Sequence, residues 1–258
     1  MKKLLALFLS AAAVCCCTGV STGVENPDNG QVTTDDPSGP PDDPGYDLSG
    51  GCPAIDLGLS VKWAAWNIGA KDEKSLGTYF AWGETAGKSN YSWGAYAFGN
   101  YNNVAPDWGL THPVDSKGRL LPENDPATKL WGKRWRTPTR AEMEELCNTG
   151  KVPWIIETDR NDNFLGVTVC RYITVINSLP VPDVRATSNR DEIFLPVTGY
   201  RDNSSLESSG YYGLYWTSSL ASQKHSASSL MFSETDDAQA VVDMYRNLGM
   251  QIRAVTDD

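Results

Sequence analysis

Two histidines, three cysteines beyond residue 50 and one loop dense in oxygen ligands are the features of this chain that bear on chemistry. His112 and His225 are the available bases for a serine-type hydrolase, and Ser218 and Ser219 of "YWTSSL" are candidate hydroxyls. A nucleophile of that class sits on a sharp G-x-S-x-G turn. These serines instead fall in a strand pattern and read as framework. Zinc needs three or four closely spaced Cys and His ligands, which two histidines without a Cys-x-x-Cys pair do not supply. "DRNDNF" (159 to 164) offers oxygens at alternate positions. It lacks Gly at the sixth position, and Cys170 stands at the twelfth, where a calcium loop needs Glu. A hairpin turn between "VPWIIET" and "FLGVTVCRY" explains the loop better. No cofactor and no enzymatic activity are expected. Calcium is allowed by these oxygens and supported by none of them.

Binding chemistry has more support. Residues 210–247 are rich in side chains that recognition surfaces favour: Tyr for area at low entropy cost, Ser and Asn for adaptable hydrogen bonds, Arg for anchoring. The candidate contact residues are Tyr211, Tyr212, Tyr215, Ser222, Lys224, His225, Asp236, Asp243, Tyr245, Arg246 and Asn247, set among strand residues such as Trp216, Leu230 and Phe232. Some of these tyrosines are also compatible with half-buried sheet positions.

The elements that must position them follow from patterning. The chain has 258 residues and a formal charge of −10. That balance argues against phosphate-backbone binding, which needs clustered Lys and Arg, and against attraction to anionic lipid. "MKKLLALFLSAAAVCCC" combines a positive start with an apolar run too short to span a membrane, the pattern of a targeting signal. An apolar run ending in Cys resembles a bacterial lipoprotein signal, with Cys17 the residue to be lipidated and Cys16 the alternative; a plain secretory signal is the other reading. Residues 18–51 hold seven acids, no Lys or Arg, and mostly Gly, Pro, Ser and Thr. Such a stretch cannot bury enough apolar surface to offset its chain entropy and reads as a disordered tether. Beyond it, residues 52–258 carry 20 basic and 25 acidic groups, so they form a mildly acidic domain.

Within that domain, strands are expected around 61–66, at 77–84, and over 192–201, 212–220, 226–233, 239–247 and 249–255. Residues 85–125 read as a long structured loop. "LWGKRWRTPTRAEMEELC" (130 to 147) contains a capping box, Thr139 with Glu142, opening a helix over about 140–147 with Met143, Leu146 and Cys147 as its buried stripe. Its basic residues alternate with acids, which makes a solvated face. Cys147 can bond Cys170 or stay a buried thiol.

Six motifs in order, "IDLGLSVKWAAWNIGA", "GTYFAWGE", "WGKRWRTPTRAEMEELC", "IFLPVTGYRD", "GYYGLYWTSSL" and "IRAV", resemble the Fibrobacter succinogenes major paralogous domain of bacteroidete cell-envelope lipoproteins. The resemblance covers residues 54 to 255. It implies an α+β, C-type-lectin-like domain related to formylglycine-generating enzymes, with a twisted antiparallel sheet, few helices and long structured loops. It also implies that the "YWTSS" and "IRAV" strands are core elements near the ligand-facing side. The oxidative activity of those enzymes needs a cysteine pair in the C-terminal half, and no Cys follows Cys170. The calcium motifs of C-type lectins have no counterpart either: "PENDP" (Glu123, Asn124, Asp125) and "PDWG" (Asp107) lack the order.

The resulting expectation is a lipid-anchored outer-membrane protein, facing the surface or the periplasm, that binds an extracellular or envelope protein or a glycan without catalysis. It touches the membrane only through its anchor and binds no nucleic acid. A structural or tip subunit of a surface appendage is the alternative, and a hydrolase a third.

Overall fold

The computed structural model describes residues 51–99, 110–176, 179–182, 191–235 and 239–258, all within one unit spanning residues 43–258. The expectations for the signal, for Cys16 and Cys17, for residues 18–50 of the tether, for Asp107 and for Asp236 lie outside the described residues.

Strand β1 (Ala54–Ile55) pairs antiparallel with β2 (Lys62–Ala64). The expected aromatic strand at 77–84 is not one. Phe80 makes a single bridge to Met250 and the Trp82 amide donates to Arg246 O (2.9 Å). Gly77 and Gly83, both at φ 81°, turn the chain at either end, a conformation glycine adopts without steric cost. The segment is held by its indoles instead. Trp82 Nε1 donates to Thr217 O (2.8 Å), and Trp216 Nε1 donates back to Phe80 O (2.9 Å).

Helix α1 (Pro126–Trp131) begins directly after the expected loop 85–125, in a stretch where no element was expected. Buried Asp125 caps it, accepting from the Ala127 amide (3.0 Å), with Pro126 pre-set at the first position. The acidic string "PENDP" is therefore a helix start. Helix α2 (Arg140–Leu146) carries the expected capping box. Glu142 Oε2 accepts from the Thr139 amide (2.8 Å) and the Glu142 amide donates to Thr139 Oγ1 (3.4 Å). Met143 and Leu146 are fully buried and Cys147 packs beside them. Thr139→Ala is expected to cost about 1 kcal/mol and lower the melting temperature by roughly 2–4 °C; thermal unfolding followed by circular dichroism checks it.

Strands β3 (Trp154–Thr158) and β4 (Phe164–Cys170) form the expected hairpin. Asp159 closes its turn by accepting from the Asn161 and Asn163 amides, and Asp162 takes φ 61°. The backbone of β5 (Tyr172–Ile176) pairs with β6 (Leu179–Pro182). Strand β7 (Glu192–Pro196) joins β4, giving the order β3-β4-β7, and β8 (Tyr200–Asp202) pairs with β9 (Ser205–Glu207). A meander follows: β10 (Tyr212–Leu220), β11 (Ser226–Ser233) and β12 (Ala240–Tyr245), antiparallel with β11 in the middle. Strand β13 (Val255–Thr256) returns to β2. The expected strand at 249–255 is mostly irregular because its backbone is shared. Met250 pairs with Phe80 and Gln251 with Tyr215, while Ile252 O and Ala254 O accept from Ile68 and Ala64.

Mostly antiparallel sheets with few helices give the α+β class. The core lies where these sheets and α2 meet. Phe232 stacks on Tyr215 (centroids 6.1 Å apart) and meets Trp154 and Phe164 edge-on. Gly213 makes room: a Cβ there would lie 2.0 Å from the Phe232 ring. Cys147 and Cys170 are free thiols, not a disulfide. Burial pushes the first up to about 12 and the second to about 11, so both stay protonated and unreactive.

Candidate ligand-binding face

The structure divides the candidate contact residues into three groups. Tyr215, Arg246 and Asn247 are buried and serve as framework, which corrects their placement on the binding surface. Tyr215 donates to Pro196 O (2.8 Å) beneath the Phe232 ring, and Asn247 Nδ2 donates to Tyr91 O (2.6 Å). Tyr211, 72% exposed, and half-buried Tyr212 stand at the far end of the meander. Tyr212 is opposite Ser233, whereas Tyr245 is opposite Ser226. Seven residues of β11 separate those positions, about 23 Å. Asp243 is exposed but already paired, with Arg140 Nη1 at 2.9 Å and Ser228 Oγ at 3.2 Å.

The third group comes together. Lys224, His225 and Tyr245 meet at the end of β12 over the buried Arg246, and exposed Ser222 lies on the same connection between β10 and β11. They are joined by Trp93, Tyr96, Phe98 and His112, which come from the irregular region before α1. Five rings form an edge-to-face chain. Phe98 meets Tyr96 at 5.6 Å and Tyr96 meets Trp93 at 5.7 Å. Trp93 meets Tyr245 at 6.0 Å and Tyr245 meets His225 at 5.3 Å. This is the geometry aromatic quadrupoles favour. Tyr245 is 48% exposed. The run "YSWGAYAFG" (91 to 99), with an aromatic at every second or third position, is the signal that marks this region.

Arg246 supports the chain from below. Its guanidinium lies 5.0 Å from the Trp82 ring and 5.3 Å from Tyr96. Nε donates to Tyr96 Oη (3.0 Å), Nη2 to Thr111 O (2.7 Å) and Nη1 to Lys224 O (3.0 Å). Nη1 also lies 2.8 Å from His112 Nδ1. Arg has no acceptor, so His112 Nδ1 accepts and carries no proton here. Tyr96 Oη in turn donates to Trp82 O (2.7 Å), and burial raises this phenol above its ordinary range. One cation thus fixes both the loop bearing Trp93 and the turn bearing His225.

A concavity of about 330 Å³ is lined by Asp125, Arg136, Thr137, Glu142 and Asp257 among others. Its charges are spent internally. Arg136 pairs with Glu142 and Asp257, each at 2.7 Å, and Asp125 accepts from Thr137 and Ala127. Arg136 is a strut between α2 and the C-terminal segment. The seryl candidates are framework too: Ser218 Oγ donates to Pro138 O (3.3 Å) and Ser219 Oγ accepts from the Arg140 amide (3.0 Å).

Burial lowers the His225 pKa from its ordinary 6.5. The unfolded chain therefore takes up a proton before the folded one, and stability falls as pH drops through 6.5 until the folded protein also protonates. The melting temperature is expected to fall between about pH 7.5 and 5.5, and less steeply in His225→Gln.

The chain matches no protein-family model, no curated protein and no solved structure.

Proposed function

We propose that this chain is a cell-envelope lipoprotein, anchored through Cys17 or Cys16 by way of an acidic tether. On this reading its α+β domain is lectin-like and holds a protein or glycan noncatalytically at the Trp93–Tyr245–His225 edge. The observation that carries this reading is Tyr245: a half-exposed ring at the end of a sheet strand, braced edge-to-face by Trp93 and His225. A ring already fixed loses little entropy on binding, which is how aromatic anchors come to dominate interfaces. The acidic segment 18–51, with no basic residue, suits a spacer that self-repels and extends.

The test is retention of glycans and envelope proteins by the full-length protein on an array. Tyr245→Ala is expected to weaken whatever is retained at least tenfold (~1.4 kcal/mol), while the loss of two ring contacts costs only about 1–2 kcal/mol of stability and leaves the domain folded. Turnover of the retained ligand, or full retention by Tyr245→Ala, overturns the reading. A structural role in a surface appendage is favoured by a different observation: β12 is the outer strand of its sheet, and such an edge can take a strand from a neighbouring subunit. Stoichiometric capture of one envelope protein by the tagged chain in intact cells, insensitive to Tyr245→Ala, selects that role.

A further inference from the structure

The sheet β3-β4-β7 turns one face to the core and the other to solvent. Val167, Val169, Ile193 and Leu195 alternate inward and are buried. The outward positions fall into three rows by strand register. The middle row is Ile155, Thr168 and Phe194. One flanking row begins with Glu157, and the other ends with Glu192. Leu165, 44% exposed, and Ile155, 37% exposed, give this face an apolar strip. The tip of the Phe194 ring reaches β4 at Gly166, where a Cβ would sit 2.9 Å from it. Glu73 and Lys74 rise beside the strip and complete an open groove of about 270 Å³.

Glu157 and Glu192 flank this groove, with Glu73 and Lys74 beside them, so its two outer rows carry negative charge. Among the described residues, neither Glu157 nor Glu192 is ion-paired; Glu157 Oε1 accepts only from Thr168 Oγ1 (2.9 Å). Their two rows are four residues apart along the strands, about 13 Å, and their strands are two apart, about 10 Å, so the carboxylates stand roughly 16 Å apart on the diagonal. An extended chain places residues i and i+4 about 13 Å apart with both side chains on one face. Two Lys or Arg arms reach the remainder, while residue i+2 faces the middle row.

We propose that this groove docks an extended cationic segment of a partner protein, with basic residues at i and i+4 facing Glu157 and Glu192 and an aliphatic residue at i+2 on Thr168 and Phe194. The charge decides the occupant. The chain's own segment 18–51 has seven acids and no base and is repelled, as is an anionic membrane. Across such a rim, complementary charge sets partner choice and capture rate more than affinity. The groove belongs to another sheet than Tyr245 and stands or falls apart from the reading above.

The full-length protein is titrated by calorimetry with capped Lys-Thr-Leu-Thr-Lys and with three controls: Glu at both ends, Ser in place of Leu, and the charges moved to adjacent positions. The Lys-ended peptide is expected to bind at least tenfold more tightly than each control, and more weakly as salt rises. The double variant Glu157→Gln with Glu192→Gln, which keeps an acceptor for Thr168, is expected to lose at least tenfold. Tyr245→Ala is expected to lose nothing. Glu192→Lys is expected to restore binding of a peptide with Glu at the matching end. Equal binding of the Lys-ended peptide and any control, no binding at all, or indifference to the double variant overturns the proposal.

Discussion

Replacing Arg253 by Met is expected to remove about 5 kcal/mol of stability and to lower the melting temperature by roughly 10 to 20 °C. Arg253 is 1% exposed, and none of its hydrogen-bond partners is charged. Nε donates to Asn67 Oδ1 (2.9 Å), Nη1 to Ala64 O (3.1 Å) and Ala65 O (2.8 Å), and Nη2 to Phe194 O (2.7 Å). Three segments distant in sequence are thereby tied at one point: the bend after β2, strand β7 and the approach to β13. Burial lowers its pKa to about 10, so the group is still a cation at neutral pH. Met fills a similar volume but donates nothing, and it leaves four acceptors without a donor. Each such group costs ~1–3 kcal/mol when it stays buried, and some relaxation toward water brings the sum to about 5. Folded domains hold only about 5–15 kcal/mol in all, so the variant is expected to be partly unfolded at 37 °C. Arg253→Lys is expected to recover less than half, because a rotating ammonium cannot reproduce a planar fork aimed at four oxygens. Denaturant unfolding at constant m-value measures the difference, and a loss below about 1 kcal/mol refutes the argument.

What was legible in the sequence is what local spacing determines. Thr139 and Glu142 lie within one helical turn, so the capping box could be read without knowing where α2 packs. The three strands of the meander were legible because 212–220, 226–233 and 239–247 are bounded runs whose turn residues lie beside them, the last shortened to 240–245 in the structure. The hairpin around Asp159 was legible for the same reason. The strand expected at 77–84 failed because Phe80 and Trp82 are aromatic in order to fill the core, and the segment is tied to β10 by indoles rather than by a ladder: Trp82 donates to Thr217 O and Phe80 O accepts from Trp216. Helix α1 was missed although Asp125-Pro126 is a start signal, because only six residues follow before Gly132 at φ 87°. The site was half legible for a deeper reason. Tyr, Arg and Asn are favoured by recognition surfaces and by hydrogen-bonded interiors alike, so their types do not separate the two. What buries Arg246 is a set of carbonyls and rings far from it in sequence, at Thr111, Lys224, Trp82 and Tyr96. Tyr245, one residue earlier on the strand, points out only because Arg246 points in.

That alternation makes Arg246 the residue through which stability and binding can be separated. Burial lowers its pKa, yet two ring faces and three oxygens hold it in place. Arg246→Met is expected to cost about 3 kcal/mol, less than at Arg253, because Thr111 is exposed and its carbonyl can recover water. The larger effect is local. Without the guanidinium, Tyr96 loses the donor at its oxygen, and the loop bearing Trp93 is no longer tied to the turn bearing His225. Near-ultraviolet circular dichroism is expected to lose aromatic signal while the far-ultraviolet spectrum is kept. Ligand retention is expected to fall at least tenfold at temperatures where the domain is still folded, although Arg246 itself touches no ligand. Tyr245→Ala provides the contrast, losing retention at the smaller stability cost of two ring contacts. If Arg246→Met loses stability and aromatic signal yet retains ligand fully, the ring chain is packing alone and the contact surface lies elsewhere on the domain.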